Sequence, residues 1–177
     1  VSINVSVSHE AIQDLLDKKI DIALVENYIP NEEIIYREWM EDEIVIFSNQ
    51  KLPLKAKAED LLSYKWVCRN PESNTRLLFK ENLEKANYPD CDTFNVTSEV
   101  TSATTIVQTV LHSDKNLTPT VSIVSRNAIE SLLKAGALYE SRIGNQKMLR
   151  KLYIAYRKDK KHDAFIENVV DYLLKMK

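Results

Sequence analysis

The sequence predicts an α/β fold arranged in two lobes. Three observations carry that prediction. Short apolar runs of strand length alternate with segments whose apolar residues recur at helical spacing. A strand, helix and strand pattern fills the first 25 residues, which implies a right-handed crossover between parallel strands. At 177 residues, 44% hydrophobic, the chain has the length and composition to bury a core, as one domain or two small lobes.

The elements follow in order. Ile3, Val5 and Val7 alternate with Ser2, Asn4 and Ser6, the period of a half-buried strand. Ser8 then caps a helix whose apolar face is Ile12, Leu15 and Leu16, and residues 20–25 form the next strand. Strands are expected over 34–40 and 43–48, a short helix over 59–62 and a strand over 65–69. Ser73, Asn74, Thr75 and Arg76 open a helix that ends near Asn87, because Tyr88-Pro89 cannot continue it. The alternation repeats with strands at 93–97 and 120–124, each followed by a helix, at 102–111 and 125–133. Gly136 ends the second of these, as a left-handed stop residue does. Strands over 137–143 and 148–156 and an amphipathic helix over 163–175 complete the chain.

Composition removes several function classes. The net charge is −2, so no basic excess is available to displace counterions from a nucleic acid duplex. The basic run Arg157-Lys158-Asp159-Lys160-Lys161 is interrupted by an acid and reads as a solvated loop and helix start. Two glycines, Gly136 and Gly144, leave no phosphate-cradling loop. His9, His112 and His162 lack ligand spacing, and Cys68 and Cys91 lack a metal pattern, so neither a metal nor a cofactor is expected. Two cysteines of this kind fit a reducing, cytoplasmic setting. No run of about 20 apolar residues is present, so no membrane span is expected.

Several segments, taken in order, are similar to the regulatory domain of LysR-type transcription regulators. They are Lys19-Ile20-Asp21-Ile22-Ala23-Leu24-Val25-Glu26, Asp42-Glu43-Ile44-Val45-Ile46-Phe47 and Leu52-Pro53-Leu54. Glu72-Ser73-Asn74-Thr75-Arg76 resembles the family's Ser-x-Thr-Arg signature, and Val121-Ser122-Ile123-Val124-Ser125-Arg126 a later one. The resemblance implies a fold like the type 2 periplasmic binding proteins, with two doubly wound lobes joined by two crossing strands. The lobes would be 1–66 plus 140–177, and 67–139. It also implies an effector-sensing module and not an enzyme, acting as a homodimer, with a DNA-reading helix-turn-helix outside this sequence. Residues 3–7 and 93–97, with the helix from Asn74, are the edges such a dimer would use. The family's opening strand and helix have no counterpart here. Residues 112–119 replace a shorter Gly-Leu-Gly turn and would reshape the site. A free-standing solute-binding protein shares the fold. An upstream signal peptide would mark that alternative, an upstream helix-turn-helix a regulator.

In such sheets, ligands sit beyond the carboxyl ends of strands and against helix N-termini, whose free N–H groups attract anions. The residues expected to bind a small anionic metabolite are Ser8, Ser73, Asn74, Thr75, Thr101 and Ser102, with Trp66 as a cleft wall near the hinge. A hydroxyl at a helix start also serves simply to cap the helix, and Trp66 could equally fill core. Arg76 is expected to pair with Glu72 or with the anion.

Overall fold

The computed structural model describes residues 3, 4, 6 and 8–176. Its elements in chain order are α1 (Ser8–Leu16), β1 (Ile22–Val25), β2 (Ile34–Ser48), β3 (Lys55–Ala56), α2 (Ala58–Ser63), β4 (Lys65–Arg69) and α3 (Asn74–Lys85). There follow β5 (Asn95–Val100), α4 (Ala103–Leu111), β6 (Thr120–Ser125), α5 (Arg126–Lys134), β7 (Tyr139–Ile143), β8 (Met148–Arg157) and α6 (Ala164–Lys175). Of the expected first strand, Val1, Ser2, Val5 and Val7 lie outside the described residues, and Ile3, Asn4 and Ser6 are in no strand.

The chain divides into two compact units, residues 1–42 with 150–177, and residues 43–149. These boundaries fall inside β2 and β8. The reason is strand pairing. Residues 44–48 of β2 run antiparallel to β6 and residues 46–48 antiparallel to β7, so the inner half of β2 belongs with them. The expected break between two strands at Glu41-Asp42 is also absent. β2 is one strand of 15 residues, within which the buried Asp42 side chain is paired with Arg150.

In the first unit β1 runs antiparallel to β8, with Ile22 opposite Tyr156 and Val25 opposite Tyr153. Successive side chains of a strand point to opposite faces. Thus Ala23, Val25 and Ala155 pack with Ile12 and Leu15 of α1, while Ile154 and Tyr156 pack with Ile166 and Val170 of α6. Arg157 is not a solvated loop residue. It is buried, and its Nη1 donates to the carbonyls of Leu15 (3.1 Å) and Ile20 (3.3 Å), closing the end of α1.

In the second unit the strand order is β2-β6-β4-β5, with β4 parallel to both β5 and β6. The sheet is covered on both faces, which is why residues 44–48 are buried without interruption. Ile44, Ile46, Trp66, Cys68, Val121 and Ile123 face Leu61, Phe79 and Leu83. Val45, Phe47, Val67 and Val124 face Ile106, Val110 and Ile129. β5 begins at Asn95, two residues later than expected, because Cys91–Thr93 form a 3-10 turn that Asp90 caps. Among the described residues no helix is long and apolar enough to cross a membrane.

Candidate functional site

Parallel strands present their carboxyl ends at one edge of a sheet. In the second unit β4, β5 and β6 are each followed by a helix, so the N-termini of α3, α4 and α5 share that edge. Sequence alone supplies the caps there. Ser73 Oγ accepts the Arg76 N–H at 3.3 Å, and Ser102 Oγ accepts the Thr105 N–H at 3.4 Å. Asn74 and Thr75 lie in the first turn of α3, where both have interactions within the protein. Thr101 is exposed immediately before the α4 cap. Ser73, Asn74, Thr75, Thr101 and Ser102 therefore stand on one rim.

The other two expected residues are Ser8 and Trp66. Ser8 belongs to the first unit, at the start of α1, where its Oγ accepts the Glu26 N–H at 3.3 Å and ties that helix to the end of β1. Trp66 is fully buried, between Phe94 at 5.1 Å and Phe79 at 5.4 Å between ring centroids, and its Nε1 donates to the Leu61 carbonyl at 2.8 Å. It is core and walls nothing. Residues 112–119 connect α4 to the start of β6, at the opposite edge of the sheet. The Asn49 amide donates to the carbonyls of Leu111 and Ser113, and the Pro119 carbonyl accepts the Lys65 N–H. The longer loop therefore leaves the rim untouched.

Three arginines define the charge of this edge. Arg76 reaches back from α3 to the Arg69 carbonyl (3.0 Å) and pairs with Asp92 (3.2 Å) and Glu99 (3.6 Å), not with Glu72. Arg126 opens α5 and is clasped by both oxygens of Glu140, at 2.8 and 3.2 Å. Arg69 ends β4, and its buried Nε–H has no hydrogen-bond partner among the described residues. Sequence reasoning missed all of these pairings except the choice posed for Arg76, since the carboxylates lie on other elements. The available signal for Arg69 was a charge ending the apolar run Trp66-Val67-Cys68.

The remaining reactive groups are occupied. Burial pushes the Cys68 thiol up to about 11, despite the lowering influence of Arg76, and raises Cys91 as well, so neither is a thiolate at neutral pH. Asp90, Cys91 and Asp92 could offer metal ligands, but the Lys80 ammonium spans the two carboxylates at 3.0 and 3.1 Å.

Next to the rim, Arg142 grips Glu43 at 2.6 and 3.0 Å and, by that hydrogen bond, holds the Glu43 carboxyl below its ordinary value of 4.5. A lowered folded-state pKa stabilises above the unfolded value and stops doing so as the pH falls through the lowered one. Urea unfolding across roughly pH 3 to 6 should therefore show an acid-side loss of stability that Arg142→Gln reduces. An identical acid limb in both proteins would rule this pair out as a contributor.

The family described as LysR substrate binding domain matches residues 1–177. The chain is 27% identical over 175 residues to the uncharacterized HTH-type transcriptional regulator YeiE of Escherichia coli K12, covering 97% of this chain. It spans only 57% of that relative's length. In structure it is similar to the Synechocystis PCC6803 CcmR regulatory domain in complex with 2-PG, at TM-score 0.78 and 18% identity, over 99% of this chain and 82% of that one. It is also similar to the effector binding domain of QuiR in complex with shikimate, at TM-score 0.70 and 20% identity, over 97% and 78%.

Proposed function

The chain belongs to the LysR substrate binding domain family, and from that premise we propose that it senses a small anionic metabolite for a transcription regulator. The observation that carries this reading is the rim of the second unit. Hydroxyls of Ser73, Thr101 and Ser102 stand there beside the N-termini of α3 and α4, whose N–H groups and dipoles favour negative charge. The hydroxyls of Ser73 and Ser102 are engaged in capping α3 and α4, an arrangement suited to binding an anion. The ligands of the two structural relatives, 2-PG and shikimate, direct attention to carboxylates. The whole regulator would be a cytoplasmic homodimer that reads DNA through a helix-turn-helix outside this sequence. The effector would act by binding one conformation of the domain better than another.

The test is a thermal-shift screen against small carboxylates, including shikimate, at matched ionic strength. A bound effector raises the melting temperature by mass action. Ser102→Ala removes a cap and lowers stability by about 1 kcal/mol on its own. It should also weaken the effector about tenfold, the size of one hydrogen bond to a charged group. A specific carboxylate whose affinity is the same in Ser73→Ala, Thr101→Ala and Ser102→Ala would move the site away from this rim.

A further inference from the structure

Arginines in a folded protein seldom go uncompensated, because each guanidinium carries a charge and five donors. In this chain Arg37 is exposed to solvent, and Arg76, Arg126, Arg142, Arg150 and Arg157 each have a carboxylate within 4.0 Å. Arg69 does not. It is partly buried at the end of β4, and among the described residues no ion pair engages it and its Nε–H, shut away from solvent, has no acceptor. A buried donor left unmatched is costly, and native proteins match nearly all of them.

Its position says what would match it. Along β4, Trp66 and Cys68 belong to one face and Val67 to the other, so alternation places Arg69 on the face of Val67, towards α4 and α5. Its partner across the ladder is Val100 on β5. Thr101 and the α4 cap Ser102 follow directly. The orphaned donor thus stands in register with the start of the helix whose N-terminal N–H groups and hydroxyls form the proposed rim. The neighbouring cation at that edge, Arg126, is already neutralised by Glu140, and Arg76 by Asp92 and Glu99.

We propose that Arg69 is the charge-recognition residue of the sensor, its Nε–H and guanidinium edge taking an oxyanion, carboxylate or phosphate, of the effector. The assignment rests on the sensor reading for its biological meaning, but its physical content is separately testable. Oxyanions fit the guanidinium fork, whereas a spherical anion does not.

The experiment follows the arginine Nε–H resonances of the protein by NMR, with the Arg69 signal identified by its loss in Arg69→Gln. Acetate, inorganic phosphate and chloride are titrated separately into the millimolar range at constant ionic strength. The expected result is a saturable shift of the Arg69 signal with acetate or phosphate, not with chloride. Whichever oxyanion binds more tightly identifies the effector's anionic group. Arg69→Gln should fold with a melting temperature no lower than that of wild type, because among the described residues it gives up no partner of the Nε–H and removes an unmatched buried donor. Arg69→Lys keeps the charge without the fork and should bind the oxyanion about tenfold more weakly. An unresponsive Arg69 signal, or one that follows chloride equally, would mean that the donor stays unmatched in the folded protein and would overturn the proposal. An effector that binds wild type and Arg69→Gln equally would overturn it too, while leaving the sensor reading in place. An oxyanion-responsive Arg69 in a protein that answers to no metabolite would do the reverse.

Discussion

Trp66→Ala should cost about 3–5 kcal/mol of folding stability, the range for deleting a large aromatic from a packed core. Trp66 is 0% exposed and stacks on Phe94 at an interplanar angle of 23°. Phe79 closes the third side, and the indole N–H is satisfied by the Leu61 carbonyl. Alanine would leave a void among rings that cannot collapse into it, and would leave that carbonyl without its donor. For a chain of this size the melting temperature should fall by about 6–20 °C. Trp66→Phe keeps most of the volume and the stacking and loses the hydrogen bond, so its cost should be about 1–2 kcal/mol. Urea unfolding of the two variants measures both. A loss under about 1 kcal/mol for Trp66→Ala would contradict the core assignment and return the residue to a surface.

That assignment also marks where sequence reasoning stops. The apolar run Trp66-Val67-Cys68 gave the strand Lys65–Arg69 with its observed bounds, and period 3.6 gave α3, α4, α5 and α6 to within a residue or two. The N-caps Ser73 and Ser102 were legible because a capping hydroxyl acts on a neighbour in the chain. Which face a buried residue occupies depends on partners far away. Trp66 and Val67 look alike in the sequence, yet they serve opposite faces of one sheet. The same limit applies to the site. Its hydroxyls were legible, being local to helix starts, while the neutralisation of Arg126 by Glu140 came from a strand on the far side of α5. A buried arginine without a partner can be recognised only once the partners of the other buried arginines are known.

The second large effect is expected at Asp42, whose role the sequence misstates most. Its carboxylate is 2% exposed and accepts Arg150 Nε and lies within 2.8 Å of Nη2, across 108 residues of chain. Glu26 holds the remaining edge of that guanidinium at 2.9 Å. Read locally, Glu41-Asp42 is an acidic pair that should end a strand. Asp42 instead lies paired within β2, which runs straight through to Ser48. Removing one partner of a buried pair leaves the other charged and poorly solvated, which costs about 3–5 kcal/mol in general. Here Glu26 still compensates Arg150 in part, so Asp42→Ala should cost about 2–3 kcal/mol. Asp42→Asn keeps an acceptor oxygen and should cost less. Pairing Asp42→Ala with Arg150→Met removes the stranded charge, so the double variant should be more stable than Asp42→Ala alone. High salt should change these differences little, because a pair this buried is poorly screened. Urea unfolding of the four proteins decides the matter. If Asp42→Ala and the double variant were equally stable, the cost would lie in lost packing and not in the stranded arginine.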